Sequence, residues 1–471
     1  MSHSTSVRTG MLPIKPSWIS LAAVSCGSAM LGLVIARLGF APRQALAGAI
    51  AAFAMASWAS GALAELTTGL AFFALATLGG VAEPKSVFVG FTSSSFWLVL
   101  GGMIVAQAMT KTGLGRRLAS LICAPLATSY PRLIGGIVLI SYVLAFLMPS
   151  NIGRIVLLMP IMLSIADEIG LGEGTRGRTG VVLATGFATF VLSTTILPSN
   201  VPNLIMAGSA EAIYGIHMSY LHYLMLHAPI LGLVKAVLLV ALICTLFPDR
   251  LAGGRQLPTA AALPPLSGPE LRLAVLLAAT LLLWLTEPWH GLGPAWIGLA
   301  AAAICLLPGV GMLTPDAFNA INHRTTLYVA ALLGVVTVIS ETGLGAAFGR
   351  IVLAGLPLRA GADAWNFAML TLLSFGISLV ASANAVGAIY TPLAADLVSA
   401  TGMPLSSVLM IQVLGFSTVA FAYQAPPIMV ALGLGHVSVS HATRLGLAMT
   451  AAAFIILVPL DYVWWRLIGE L

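Results

Sequence analysis

Apolar stretches recur along nearly the whole chain, near 19–40, 44–63, 66–82, 96–110, 133–166, 179–207, 226–247, 271–286, 292–309, 325–340, 366–398, 405–433 and 444–465. A bilayer core takes about 20 residues of helix per crossing, and lipid leaves no partner for an unpaired backbone group, so such a chain folds as packed helices. Only 8% of the 471 residues are charged, against roughly 25% in soluble domains. Those few charges could not coat a water-facing surface, which excludes a soluble globular protein. The expected class is an all-α polytopic membrane protein, with about 11 transmembrane helices plus two re-entrant hairpins arranged in two inverted repeats.

The hairpins are placed at 133–166 and 366–398, because both stretches are too long for one crossing and carry a Ser/Asn cluster midway. The one sizeable polar stretch, Pro248 to Arg272, divides the chain into halves that resemble each other. Glu65 parallels Glu287, MTKTGLGRRLASLI at 109–122 parallels ISETGLGAAFGRIV at 339–352, and PSNIGRIVLLMP parallels ASANAVGAIYTP, with offsets of 222, 230 and 232 residues. Landmarks that keep order and nearly keep register are an internal repeat. Five crossings plus a hairpin separate equivalent landmarks, and an odd number turns the second copy upside down. With the N-terminus inside, thirteen lysines and arginines face the cytoplasm and six face out, which favours a multi-pass protein of the cell's inner (plasma) membrane with a cytoplasmic N-terminus. The first apolar stretch is long enough to be a span, so no cleavable signal peptide is expected.

Polar and helix-breaking residues at membrane depth imply a site packed in protein or facing a water-filled cavity. Four places qualify: the tips Pro149–Arg154 and Ser382–Gly387, and the interruptions Thr189–Asn203 and Thr418–Pro427 in the two helices that come after them. Pro198, Pro202, Pro426 and Pro427 each remove a backbone donor, which no continuous span tolerates cheaply. Helix N-termini at such breaks point N–H groups at an anion, while unwound carbonyls and Ser/Asn oxygens can hold a small cation. Ser150, Asn151 and Asn384 could instead be simple helix caps, but symmetric placement at two tips favours a site. Arg154, inside a membrane segment with no acid nearer than Asp167 and Glu168, either contacts the substrate or pairs with carbonyls of a broken helix.

Three segments carry a resemblance: FTSSSFWLVLGGMIVAQAMTKTGLGRRLA at 91–119, SNIGRIVLLMPIMLSIA at 150–166, and WLTEPWHGLGPAWIGLAAAAICLLPGVG around Glu287. They resemble the divalent anion:sodium symporter family, over about residues 44–467. The resemblance implies a homodimer of inverted repeats in which a scaffold holds the dimer and a transport domain moves as an elevator, carrying di- or tricarboxylates or sulfate. On that basis the chain divides into a cytoplasmic tail (1–18), a first scaffold segment (19–132), a first transport segment (133–247, with its broken helix at 179–207), a linker (248–270), a second scaffold segment (271–360) and a second transport segment (361–471, with its broken helix at 405–433). The family's Ser-Asn-Thr tip motif maps onto Ser150-Asn151-Ile152 and Ser382-Ala383-Asn384. Its Gly-Thr-Pro-Pro-Asn break maps onto Ser199-Asn200-Val201-Pro202-Asn203 and Gln424-Ala425-Pro426-Pro427-Ile428. The implied substrate residues are Ser150, Asn151, Ile152, Arg154, Asn203, Ser382, Ala383, Asn384 and Pro427. The sodium candidates are Ser150, Asn151, Ser199, Asn200, Ser382, Asn384 and Ala425. Ile152 and Ala383 remove side chains expected at substrate and cation, so full two-sodium coupling is not expected, and Arg154 leaves exchange open.

The expected function is a secondary active transporter of small anions, di- or tricarboxylates first, coupled to sodium or to anion exchange. The alternatives are a sulfate-like oxyanion or a proton-coupled ion transporter of the same superfamily. No cofactor is implied; the partners are the anion, sodium ions, the lipid bilayer and a second copy of the chain, and the +6 net charge reads as membrane orientation rather than nucleic-acid binding. An intramembrane enzyme would need HExxH, GxGD or GxSG, none of which occurs, and nothing offers a channel's ring of charge. Cys26, Cys123, Cys244 and Cys305 stand alone and read as core residues. His217, His222 and His227 read as loop histidines, Lys235 as snorkelling, and Glu65 and Glu287 as a shared structural pair.

Overall fold

A computed structural model describes residues 18–126, 128–251, 265–309, 312–321, 323–345 and 355–471. The segment before Trp18, expected to be a cytoplasmic tail, most of the expected linker, and the end of the second-repeat motif after Gly345 lie outside the described residues, as do Arg8, Lys15, Arg255 and Arg350.

The described chain is helical throughout its elements. Among the described residues, seven helices are long and apolar enough to cross a membrane: Trp18–Arg37, Tyr130–Leu147, Tyr220–Leu246, Gly268–Leu285, His323–Glu341, Asp363–Val380 and Val439–Leu467. An eighth span arises if Ala383–Thr401 and Leu405–Phe416, bent by 119° at their junction, are taken together. Glu65–Leu78, Pro294–Leu306 and Pro426–Gly435 are apolar but shorter. The Trp18–Arg37 helix presents Trp18, Ile19, Met30, Leu33 and other apolar side chains outward, as a lipid-facing helix must.

The two repeats interrupt their helices at matching places. The first hairpin runs as Tyr130–Leu147 and Asn151–Glu168, the second as Asp363–Val380 and Ala383–Thr401. The first broken helix runs as Arg176–Val191 and Val201–Tyr214, the second as Leu405–Phe416 and Pro426–Gly435. Pro202 and Pro426 sit in the first turn of their helices, where a missing N–H costs nothing, while the same ring bars an uninterrupted helix from entering from the preceding side. The repeats share one landmark that the sequence pattern does not display: the closing helix of each contains a π-helical segment, Ala228–Val234 and Ala453–Leu457.

Packing crosses between the repeats. Val201–Tyr214 lies on the second hairpin at Ala383–Tyr390, and Pro426–Gly435 lies on Arg176–Val191 and Asn151–Glu168. At the first contact Gly387 is needed for close approach: a Cβ there would stand 2.6 Å from the Met206 backbone nitrogen. Ser94–Thr112 crosses Pro294–Leu306 with Gly101 against Gly298, where a Cβ would meet the Gly298 carbonyl at 3.0 Å. Small residues at such crossings let backbones approach, which is how helices associate where lipid removes the hydrophobic drive.

Candidate functional site

Four helices begin at one place. Asn151–Glu168 has Ser150 as its N-cap, whose hydroxyl accepts from the Gly153 N–H at 3.2 Å. Val201–Tyr214 starts from extended Asn200, the helix at Ala383 from extended Ser382, and Pro426–Gly435 from extended Ala425. Each start leaves backbone N–H groups without intrahelical partners and carries the positive end of a helix dipole. A cavity of about 890 Å³ lies against them, lined by Pro149 to Gly153, Ser199 to Val201, Asn384, Pro426 and Pro427.

The first break is held by side chains. Asn151 donates from Nδ2 to Asn200 Oδ1 at 2.8 Å and accepts on Oδ1 from Ser193 Oγ at 3.0 Å. Asn200 Nδ2 donates to the Phe190 carbonyl at 3.2 Å and to Ser193 Oγ at 3.1 Å. Asn203 points its amide back under the loop, donating to the carbonyls of Ile196 at 3.0 Å, Thr194 at 3.2 Å and Ser193 at 3.4 Å. Tyr223 OH also donates to the Thr194 carbonyl, at 2.7 Å, and Ser199 Oγ to the Ala145 carbonyl.

Arg154 fills the carbonyl side of this break. Its fully buried guanidinium donates to the Met148 carbonyl and to Asn151 Oδ1, and reaches the carbonyls of Thr189 at 3.2 Å and Ser199 at 3.4 Å. These acceptors are the end of the first hairpin helix and the two sides of the break, the negative ends of the same local dipoles. A guanidinium is the side chain whose fork can serve several such oxygens at once.

The second break is also held by side chains, chiefly Gln424 and Tyr423. Gln424 Oε1 accepts from the N–H groups of Ala420 and Phe421, both at 2.9 Å, and its Nε2 donates to Ser378 Oγ at 2.9 Å. Tyr423 OH donates to the Leu379 carbonyl at 2.6 Å, tying the break to the second hairpin. Asn384 stands beside the Tyr328 hydroxyl.

Of the residues expected at the substrate, Ser150, Asn151, Ile152, Asn384 and Pro427 line the cavity, while Arg154, Asn203, Ser382 and Ala383 do not. Of the sodium candidates, Ser150, Asn151, Ser199, Asn200 and Asn384 line it, while Ser382 and Ala425 do not. Sequence reasoning missed Glu65, Gln107 and Tyr328, which also face the cavity. The cavity extends from the tips to Thr110, Arg116 and Glu168 at one end of the bundle. Glu65 and Glu287 do not share one role: Glu287 accepts from the Tyr220 N–H at 2.8 Å and Ser219 Oγ at 3.1 Å, whereas Glu65 faces the cavity. The histidines differ from expectation, because His222 and His227 belong to the Tyr220–Leu246 helix and His227 is buried. Among the described residues no group of three His, Cys, Asp or Glu could hold a metal ion.

Known proteins share this sequence pattern. The family described as sodium:sulfate symporter transmembrane region matches residues 15–471. A membrane protein of Cupriavidus necator is 26% identical over 451 residues, covering 89% of this chain and 87% of that protein. The L-tartrate/succinate antiporter of Escherichia coli strain K12 is 23% identical over 389 residues, covering 80% and 79%. The crystal structure of the Alcanivorax borkumensis YdaH transporter superposes with a TM-score of 0.53 at 17% identity, covering 81% of this chain and 87% of that one, a likeness of fold alone.

Proposed function

This chain belongs to the sodium:sulfate symporter family and is a secondary transporter, not an enzyme; from that premise we propose that it exchanges small dicarboxylates across the inner membrane, with little or no dependence on sodium. The observation that carries the reading is the filling of the first break. The oxygens that would suit a coupling cation, from Met148, Thr189, Ser199 and the Asn151 side chain, already hold the Arg154 guanidinium. A tethered cation balances the helix ends without a sodium ion and cannot leave with the substrate. Transport down a counter-substrate gradient then needs no cation to travel.

The cavity chemistry supports a carbon-skeleton anion over sulfate. Beside the helix N-termini stand Ile152, 40% exposed, and Val156, 54% exposed, with Pro426 and Pro427. Apolar walls next to anion-binding backbone suit methylenes carried between carboxylates, whereas a sulfate would leave them unused. Two relatives named L-tartrate/succinate antiporter point the same way. In the N-inside orientation the cavity opens to the cytoplasm, so the state described is inward-facing. The hairpins and broken helices then move as an elevator against a scaffold that holds the homodimer.

Reconstituted protein loaded with succinate, tartrate, citrate or sulfate, and given labelled succinate outside, tests this. Uptake that requires an internal dicarboxylate and is indifferent to a sodium gradient is expected. Uptake into empty vesicles driven by sodium alone refutes exchange, and preference for sulfate refutes the carboxylate assignment.

A further inference from the structure

The protein buries a second set of polar groups that the anion cavity does not use. Lys235 is 1% exposed, and His227, Asp461 and Trp465 are fully buried. They lie on the closing helices of the two repeats, Tyr220–Leu246 and Val439–Leu467, which pack on each other along their π-helical segments. His227 immediately precedes one π segment and Lys235 immediately follows it; Asp461 follows the other within one turn. A π turn is costly and is kept most often at functional sites.

The partners of these groups are unequal. Lys235 Nζ donates to the Ser417 carbonyl at 2.7 Å and to Ser417 Oγ at 2.9 Å. Ser417 is the C-cap of Leu405–Phe416, so the ammonium sits on the negative end of the helix that stops at the second break. Asp461 is the acid whose charge acts on Lys235, yet among the described residues neither of its oxygens has a partner in hydrogen-bond geometry. The Trp465 indole approaches the carboxyl but falls short of that geometry, and among the described residues both ring nitrogens of His227 are also without a partner. A structural ion pair closes its contact and fills its remaining lone pairs. This one does neither, and a carboxylate with two bare oxygens at membrane depth is an expensive thing to keep.

We propose that Asp461, with Lys235 as its counter-charge, is a proton-binding site that sets the charge at the second helix break. A hydronium ion gives up a proton, one of its O–H bonds breaking to leave water, and an O–H bond forms on one carboxylate oxygen; the Lys235–Asp461 set passes from neutral to a net charge of plus one. That charge rests on Ser417, and the far side of the same break, Pro426 and Pro427, lines the anion cavity. An anion in the cavity and a proton on Asp461 therefore favour each other, and the linkage is reciprocal.

Among the described residues few other groups face the site. Of these, Asp461 opposes Lys235, and His227 feels His222, which pairs with Glu470 at 3.2 Å. Tyr223 packs its ring on His227, and Tyr220 is buried on the same helix. Asp363–Val380 contributes Phe367 against Trp465, and Tyr130–Leu147 contributes Tyr142, bonded to Thr195. Arg466 binds Tyr462 at the helix end, and His441 and Arg444 pack on Phe247 at the opposite end.

The proton site rests on the transporter reading only for its effect on the anion, so its test needs no substrate. Infrared difference spectra of the full chain in lipid vesicles are recorded between roughly pH 4 and 9, the range over which exposed to fully buried carboxyls titrate. A protonated-carboxyl band that grows as pH falls, shifts with isotope-labelled aspartate and is lost in Asp461→Asn is expected. No such band in the labelled parent protein, which needs no variant to fold, overturns the proposal, as does a band that survives in Asp461→Asn. Hydrogen exchange of residues 417–425, corrected for intrinsic rates, is expected to change with pH in the parent and not in the variant. An equal pH response in both severs the site from the break.

Discussion

Removing the Arg154 guanidinium tests whether that side chain anchors the first break or touches the anion. Four acceptors would lose it, but not all would be stranded: Met148 O keeps the Ser150 N–H at 2.7 Å, and Asn151 Oδ1 keeps Ser193 Oγ at 3.0 Å. The carbonyls of Thr189 and Ser199 lose donors at 3.2 and 3.4 Å, distances at which each bond is worth less than an ideal charged one. Counting the two charge-assisted bonds to Met148 and Asn151 at about 1.5 kcal/mol each, and setting the two stranded carbonyls, about 1 kcal/mol each, against the desolvation cost no longer incurred by a buried guanidinium, Arg154→Ala should cost about 3 kcal/mol. That is roughly a hundredfold in the ratio of folded to unfolded protein. The assay is thermal and denaturant unfolding of purified parent, Arg154→Ala and Arg154→Lys, each with and without succinate. Arg154→Ala should melt well below the parent. Arg154→Lys should fall between them, because one ammonium can serve only some of the carbonyls. The succinate-induced rise should persist in Arg154→Lys. A variant that melts like the parent but has lost the succinate-induced rise would refute anchoring and return Arg154 to the substrate.

Asn151→Ala removes both the Asn200 bond and the Ser193 acceptor at the first tip, and should abolish labelled succinate exchange while leaving an inserted, monodisperse protein; parent-like exchange would remove the tip from the site. Uptake should respond weakly to sodium, and a steep sodium dependence with a Hill coefficient near two would mean that backbone carbonyls suffice for two ions. Gly387→Ala would drive a Cβ into the backbone at Met206, with 2.6 Å to its nitrogen and 2.9 Å to its Cα. Backbone cannot yield as a side chain does, so about 1–3 kcal/mol of strain should lower the melting temperature and transport together.

The breaks were legible because proline and asparagine at membrane depth have no cheap alternative explanation, and the structure opens the helices at Leu192–Asn200 and Ser417–Ala425 as those residues require. The hairpin tips followed from the same logic. What the sequence could not reveal is where a side chain on a known face finds its partner. Arg154 lies one turn beyond Asn151, which fits both a cavity contact and a carbonyl cage; the choice depends on Thr189 and Ser199, brought in by tertiary packing. From the sequence Glu65 reads as structural, at a span end equivalent to that of Glu287, yet it shares the cavity with Tyr328 and Asn384 from the other repeat. Lys235 reads as a snorkelling lysine because it lies near one end of its apolar stretch. The π segment before it adds a residue to one turn and rotates the next turns of the helix by about 100°, which carries the ammonium inward to Ser417.

Ile152 is where the substrate class can be altered by design. It stands where the family's tip motif has threonine, it is 40% exposed, and it lines the cavity beside the helix N-terminus capped by Ser150. A succinate methylene against this side chain gains apolar burial, about 0.8 kcal/mol for each CH₂ removed from water. A hydroxyl-bearing acid such as tartrate instead brings a polar group to an apolar wall, and that group goes unpaired. Ile152→Thr exchanges the two effects: it trims the apolar surface and supplies a hydroxyl able to donate or accept, with a net bond worth about 0.5–1.5 kcal/mol. Together these should move the ratio of tartrate to succinate exchange upward by about 1–2 kcal/mol, or roughly five- to thirtyfold. Both substrates are measured on the same vesicles, so differences in insertion cancel from the ratio. An unchanged ratio, with both rates preserved, would mean that Ile152 does not face the bound anion and that the apolar wall plays no role in choosing it.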